Sequence, residues 1–366
     1  MARAGAAGLL LAVCVLIAAP PAPGETQRSA LADLTPAQLA GQRVVCGFAG
    51  HRVPATVSQR IGRGELAGVI LFSNNAGKRP QVRRLTASLQ AIARPAALRQ
   101  PLLIAADQEG GQVRRLPGPP TASAESMAAR GAAYVERQGR RTGRSMAALG
   151  VNVDLAPVLD VARRKGFIAD QQRAFGATPP DVAQFGVGFA RGLQAAGVAA
   201  TAKHFPGLGS TAANTDLRPV IINLSRAKLL RIDEAPYPSF IAAGGKLVMV
   251  SSARYSALDP ILPASQSRKV VTDELRGRLG FAGVTITDAL DTPGVEKLAG
   301  TTKTATRVAA AGTDLLLYSS CSTAAEAAAA LASALAAGTL PRAEFEASVE
   351  RVLGLRAAIP SSGTSG

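Results

Sequence analysis

No tryptophan occurs in the 366 residues, and aromatic residues make up only 4% of them. A chain of this length with 47% hydrophobic residues can bury a large core, which must therefore be built from Ala, Val, Leu and Ile. Such residues suit buried strands and the helices packed on them, and abundant Ala adds helix propensity. Histidine appears twice, at His51 and His204. That scarcity argues against a Ser-His-Asp hydrolase and against a histidine-rich metal site. No metal or organic cofactor is expected. Acidic residues are also short, 25 against 41 Lys and Arg, for a formal net charge of +16. A chain so basic associates with polyanions. Compact basic runs interleaved with aromatics are missing, as is any nucleic-acid motif, so nucleic acid is not the expected partner. Repeats of solenoid length and long low-complexity linkers are absent too.

No apolar run reaches the length needed to span a bilayer. The run at 9–19 is preceded by Arg3 and followed by prolines and small residues at 20–24, the pattern of an export signal over 1–24. Acylation at Cys14 would make a lipoprotein, but apolar residues continue past Cys14, and Val13 is bulky for the position before a lipidated cysteine. A secreted, extracytoplasmic protein is therefore expected, with anionic cell-wall polymers as the partner that its charge suits. The plainer alternative is that arginine covers a solvated surface.

After a polar segment at 25–33, short apolar runs alternate with helical periodicity. Strands are expected at 43–48, 68–71, 102–106, 152–156, 200–203, 247–251, 284–287 and 314–317. Helical segments are expected at 81–93, 124–149, 181–196, 269–279 and 304–311, with a last one over 324–355. Continuous apolar strands separated by helices belong to parallel sheets buried on both faces. Eight such units indicate a closed barrel rather than an open sheet. The expected architecture is α/β, a single-domain (β/α)8 TIM barrel over 34–358, followed by a flexible tail at 359–366. Closure bears on the cysteines. Once Cys14 leaves with the signal, Cys46 near the end of the first strand and Cys321 just past the eighth remain. Those strands are neighbours only if the sheet closes. The pair is then a disulfide across the seam or two buried free thiols.

In a barrel of this kind, chemistry sits at the C-terminal ends of the strands. Those ends carry Asp107-Gln108-Glu109-Gly110-Gly111, Asn152-Val153-Asp154, Lys203-His204-Phe205-Pro206-Gly207 and Thr287-Asp288. A Lys-His pair beside several carboxylates would form a pocket for a polyhydroxylated ligand, because charge-assisted hydrogen bonds hold sugar hydroxyls firmly.

Four segments in order, DQEGGQVRRL, LGVNVDLAPVLDV, KHFPGLG and GFAGVTITD, resemble glycoside hydrolase family 3, most closely its single-domain β-N-acetylglucosaminidase branch. The resemblance runs from about residue 34 to about 320 and implies a (β/α)8 barrel. It also implies a retaining double displacement, in which a carboxylate forms a glycosyl-enzyme intermediate that water then hydrolyses. The nucleophile maps to Asp288 in the pattern Gly-Phe-x-Gly-x-x-x-(Ser/Thr)-Asp; the alternative for Asp288 is a helix N-cap. Sugar-binding roles map to Asp107, Arg115, Arg173, Lys203 and His204. The alternatives are a salt-bridge network at the barrel mouth for the charges and a satisfied core histidine for His204. Arg173 falls in Ala169-Asp170-Gln171-Gln172-Arg173-Ala174-Phe175-Gly176, which carries a local insertion relative to the family's Gly-Asp-Arg-Ser-Phe-Gly. The implied partners are N-acetylglucosamine-containing glycans or muropeptides.

The chain departs from the family where proton transfer is concerned. The family's Lys-His-Phe-Pro-Gly-His-Gly is followed, four residues on, by Asp-Ser-His, whose His is the acid/base and whose Asp polarises it. Here Asp216 stands for that His, Asn214 for its Asp partner and Leu208 for the first loop His. A further family His position is Ser252. Two consequences are open. Asp216 serves as acid/base with a raised pKa, desolvated by Leu208 and held by Asn214. Otherwise the barrel is a catalytically impaired glycan-binding module of the cell wall.

Overall fold

The structure, a computed structural model, describes residues 31–360. The export signal at 1–24, Cys14 and most of the polar segment and tail lie outside the described residues. Eight strands form one parallel sheet: β1 Val44–Gly47, β2 Gly68–Ile70, β3 Leu103–Ala106, β4 Val153–Asp154, β5 Ala199–Phe205, β6 Leu247–Val250, β7 Val284–Thr287 and β8 Leu316–Tyr318. Their order is β7-β6-β5-β4-β3-β2-β1-β8, and Ile286 of β7 bridges to Leu315, the residue before β8. Two backbone bonds span that seam: Thr287 N–H donates to Leu315 O (3.0 Å) and Leu315 N–H donates to Thr285 O (2.9 Å). All eight expected strands are present and nearly close into a barrel.

The alternation along each strand explains why the apolar runs are continuous. Val45, Ile70, Leu103, Val153, Met249, Ile286 and Leu317 fill the barrel interior. Their neighbours Val44, Cys46, Val69, Ile104, Val248, Val250 and Leu316 point outward under the helices. Both faces are covered, so the strands run mostly apolar, with buried polar exceptions such as Asp154, Lys203 and His204 near strand ends.

Helices differ from expectation mainly at breaks. The stretch at 124–149 divides into Ala124–Ala128 and Ala132–Ala147 around Gly131, whose φ of 85° only glycine adopts readily. The last stretch divides into Cys321–Ala336 and Arg342–Ala358, since Pro341 lacks the N–H that would continue a helix. Ile359, the first residue of the expected tail, is buried beneath the barrel with Val352 and Leu355. Helix Ala55–Gly62, a hairpin of Gln108–Gly110 with Val113–Arg114, and a short ladder of Ile221–Ile222 with Arg254–Tyr255 were not expected.

Cys46 on β1 and Cys321, which begins the helix after β8, are joined by a disulfide with Cα atoms 4.9 Å apart. Among the described residues, no helix is long and apolar enough to cross a membrane.

Candidate active site

The segment after β3 leads with Asp107 and folds back at once as the hairpin. Gln108 knits it: its amide donates to Leu116 O (3.2 Å) and Pro119 O (2.9 Å), and its Oε1 accepts from Leu116 N–H (2.9 Å). Arg115 N–H donates to Asp107 O (3.2 Å), which fixes Arg115 beside that carboxylate.

Lys203, near the end of β5, is 2% exposed with Nζ 2.6 Å from both Asp107 Oδ1 and Glu109 Oε1. Arg173 forks onto the same Glu109, Nε to Oε2 at 2.7 Å and Nη2 to Oε1 at 2.8 Å. Burial pushes the Glu109 carboxyl up, but Arg173 and Lys203 outweigh it and hold the group at about 2. Burial lowers Lys203 while Asp107 and Glu109 reverse that, leaving the ammonium raised. Both cations therefore stay charged although enclosed. Sequence reasoning quoted Glu109 within its motif and gave it no role; it is the anion that fixes two of the expected sugar-binding cations.

His204 is anchored from behind. Its Nδ1 donates to Asp160 Oδ2 (2.7 Å), while Asp160 Oδ1 accepts the N–H groups of His204 (3.3 Å) and Leu208 (2.6 Å). Asp160, fully buried after β4, orients the imidazole and was another residue not singled out. Asp154, also fully buried, accepts from Gln108 N–H (3.0 Å). Burial raises its carboxyl well above the usual range.

The loop after β5 carries Asp216. Asn214 Oδ1 accepts from the Asp216 backbone N–H (2.9 Å), so this bond sets the loop rather than the protonation of the carboxyl. Asp216 O accepts from Gly294 N–H (3.0 Å) on the segment after β7. A Cβ at Gly294 would lie 1.8 Å from Thr215 O, so only glycine permits this approach. Burial first, then Asp288, raise the Asp216 carboxyl to about 6, against the opposing pull of His204 and Arg173. Asp288 follows β7, half-buried, with Oδ1 accepting from Ala289 N–H (2.9 Å). It does not cap a helix: the next helix is Pro293–Glu296, behind Thr292.

The residues singled out from the sequence meet in one cavity of about 480 Å³ at the strand-end mouth, with Glu109 and Asp160 bonded to members of its lining. Asp107, Arg115, Arg173, Lys203 and His204 line it, facing Asp216 and Asp288. Ile70, Leu155, Met249 and Leu317 floor it, and Leu208 lies at its side. The seven residues singled out from the sequence are thus brought together. Ser252 is buried outside the cavity. A larger groove of about 780 Å³ runs between helix Arg79–Ala91 and residues 147–150 on the outer wall, but it offers no carboxylate or histidine. Among the described residues, no cluster of His, Cys, Asp and Glu is arranged to hold a metal ion.

A parallel α/β barrel whose mouth holds two carboxylates opposite a cluster of charged side chains has the build of a glycoside hydrolase. The chain belongs to glycosyl hydrolase family 3: residues 33–355 match the Glycosyl hydrolase family 3 N terminal domain. An uncharacterized secreted glycosyl hydrolase of Arthroderma benhamiae is 37% identical over 326 residues, which cover 87% of this chain and 92% of that protein. A β-hexosaminidase of Stenotrophomonas maltophilia is 34% identical over 254 residues, 67% of this chain and 73% of that one. The family 3 β-N-acetylglucosaminidase structure from Paenibacillus matches with a TM-score of 0.84 at 34% identity, over 91% of this chain and 64% of that one. The β-N-acetylhexosaminidase structure from Beutenbergia cavernae matches with a TM-score of 0.82 at 32% identity, over 89% and 99%. The chain is a glycosidase that resembles the β-N-acetylhexosaminidases of the family.

Proposed function

We propose that this chain is an exported, retaining β-N-acetylhexosaminidase acting on N-acetylglucosamine-containing glycans such as peptidoglycan fragments, with Asp288 as nucleophile and Asp216 as acid/base. One observation carries the reading. Asp216 shares a cavity with Asp288 and is held at about 6 by burial and by that neighbour, the condition of a carboxyl that can donate a proton near neutrality.

In the first step the Asp288 carboxylate attacks the anomeric carbon and the bond to the leaving oxygen breaks. The Asp216 proton passes to that oxygen. In the second, ionised Asp216 takes a proton from water, the oxygen of that water bonds to the anomeric carbon, and Asp288 is released. Asp107, Lys203 and His204 grip hydroxyls, and Arg115 and Arg173 flank the ring and N-acetyl group. Export is supported by the secreted Arthroderma relative and by the disulfide. The net charge of +16 supports retention on anionic cell-wall polymers. A barrel forming one catalytic unit by itself is the domain organisation we propose.

A second reading, a catalytically impaired glycan-binding barrel, is favoured by Asn214, whose bond to backbone leaves Asp216 without the polarising carboxylate of the family's dyad. Two aryl N-acetyl-β-glucosaminides, one with a good and one with a poor leaving group, separate the two. As an acid/base, Asp216 requires that Asp216→Asn lower kcat/KM of the poor substrate by roughly 10²- to 10⁴-fold and spare kcat/KM of the good one, while kcat of the good one falls because the second step loses its base. Asp288→Asn abolishes both. Failure of wild type on both, with N-acetylglucosamine still raising Tm, establishes the binder instead.

A further inference from the structure

Two neighbouring helices of the outer wall carry a charge that the catalytic mouth does not use. Residues 78–94 hold five cations and no acid, and helix Ala132–Ala147 holds four cations and one acid, so half of the chain's net charge of +16 lies on these two segments. That acid, Glu136, is taken up by Arg140 of its own helix at 3.4 Å. Arg79 ties the helices together, its Nη1 donating to Ser145 Oγ (2.8 Å) and Pro117 O (3.0 Å). The groove of about 780 Å³ beside helix Arg79–Ala91 is held open by Ala87, Ala147, Ala148 and Gly150, which lack the bulk to fill it. Arg83 and Arg84 stand exposed on its wall, with no ion-pair partner among the described residues. Arg84 also lines a second hollow, of about 470 Å³, in which Arg52 takes part. The two hollows thus share Arg84, and neither is lined by an acidic residue or by a Phe or Tyr. None of their residues lines the mouth cavity.

We infer that this basic groove is the docking surface for a linear phosphodiester polymer of a polyol, and that it anchors the exported protein to such a polymer while the mouth stays free. The inference gives a place and a chemistry to the retention on anionic polymers proposed above, and rests on that reading. Guanidinium groups present paired N–H donors in one plane, which fork onto phosphate oxygens. Arg79 and Arg83 are four residues apart on one helix, about 6 Å along its axis, so a chain with evenly spaced charges meets them in succession. Exposed Arg141, one turn before Ser145, carries the row onto the second helix. A hollow of about 780 Å³ takes a length of polymer rather than a single ion. With no acid in its lining, the field of these arginines is not cancelled locally. Single-stranded nucleic acid is held by bases stacked on aromatic side chains, and the groove offers none. That favours a chain recognised by its phosphates alone.

The test measures binding of the protein to poly(glycerol phosphate) over a salt series, with polygalacturonate and a DNA oligonucleotide of matched charge as comparison polymers. Poly(glycerol phosphate) is expected to bind best. Arg83→Gln combined with Arg84→Gln should weaken it about tenfold and lower the salt slope by about two. Lys269→Gln combined with Lys303→Gln removes the same charge from exposed positions on the helices after β6 and β7. Binding should then stay within about twofold of wild type, because screening confines each charge to its neighbourhood. Equal weakening by both pairs makes the attraction diffuse and overturns the groove, leaving retention by net charge standing. Binding as tight to polygalacturonate or to DNA overturns the choice of a phosphodiester polyol. Hydrolysis of an aryl N-acetyl-β-glucosaminide by the same samples, with and without saturating polymer, is expected to be unchanged. Inhibition by the polymer would place it at the mouth and overturn the inference. A wild type that does not bind poly(glycerol phosphate) overturns the inference, whereas absence of hydrolysis with binding intact overturns the hydrolase reading alone.

Discussion

At the scale of single residues, the chemistry turns on how this mouth sets the charge of its carboxyls. Asp216 and Glu109 are both enclosed, yet one rises to about 6 and the other falls to about 2. Burial acts alike on both; the difference is that Glu109 has Arg173 and Lys203 against it, while Asp216 faces Asp288. Because the acid must be protonated to act, kcat/KM for a poor leaving group should fall as pH rises through about 6. A pH–rate profile checks this, with the limb absent in Asp216→Asn and assigned to the Asp216–Asp288 pair rather than to one oxygen. For stability the sign follows the same shift. The folded carboxyl holds its proton more tightly than the unfolded one near 3.8, so its contribution weakens the fold as pH climbs from there through about 6. Glu109→Gln removes the anion that positions both cations. It should lower kcat/KM by roughly 100-fold, through KM as well as kcat, in a steady-state comparison of the two constants. A purely structural role would lower Tm and leave KM alone.

At the scale of elements, strands were legible and the joints between helices were not. A strand buried on both faces writes its length into the sequence as an unbroken apolar run, as at β6, Leu247–Val250. A helix break writes only one residue, Gly131 or Pro341, into an otherwise helical stretch. The catalytic loops lie between these cases. Their motifs announced Asp288 and Lys203, yet the contact of the β5 loop on the β7 loop depends on Gly294, a glycine with no local pattern. Gly294→Val places atoms against Thr215 O and must shift the strand of loop bearing Asp216. Its expected effect is a loss of rate on the poor-leaving-group substrate that exceeds the loss on the good one. Parallel kinetics on the two substrates check it; equal losses would show that Asp216 has not moved relative to its role.

At the scale of the whole molecule, the first and last strands of the barrel are joined by a backbone ladder and by a covalent link. Cys46 and Cys321 are 275 residues apart, so their disulfide closes nearly the whole described chain into a loop and restricts the unfolded ensemble accordingly. Cys46→Ser with Cys321→Ser, or reduction, should lower stability by about 2–4 kcal/mol. Thermal unfolding with and without reductant checks it, and the cysteines lie outside the catalytic cavity.

The amino-acid sequence by itself determined the eight strands, the parallel barrel and the four motifs, because each rests on local periodicity or on residues adjacent in the chain. It also led to the proposal that Asp216 stands where the family carries its acid/base histidine. Only the tertiary structure decided which of those residues act on one another. Glu109 holds Arg173 across 64 residues of chain and holds Lys203 on a further strand, Asp160 backs His204 across 44, and Asp288 meets Asp216 from a different strand. Carboxyl charge at this mouth depends on enclosure and on neighbours brought together by barrel closure, and neither quantity is a property of sequence neighbours.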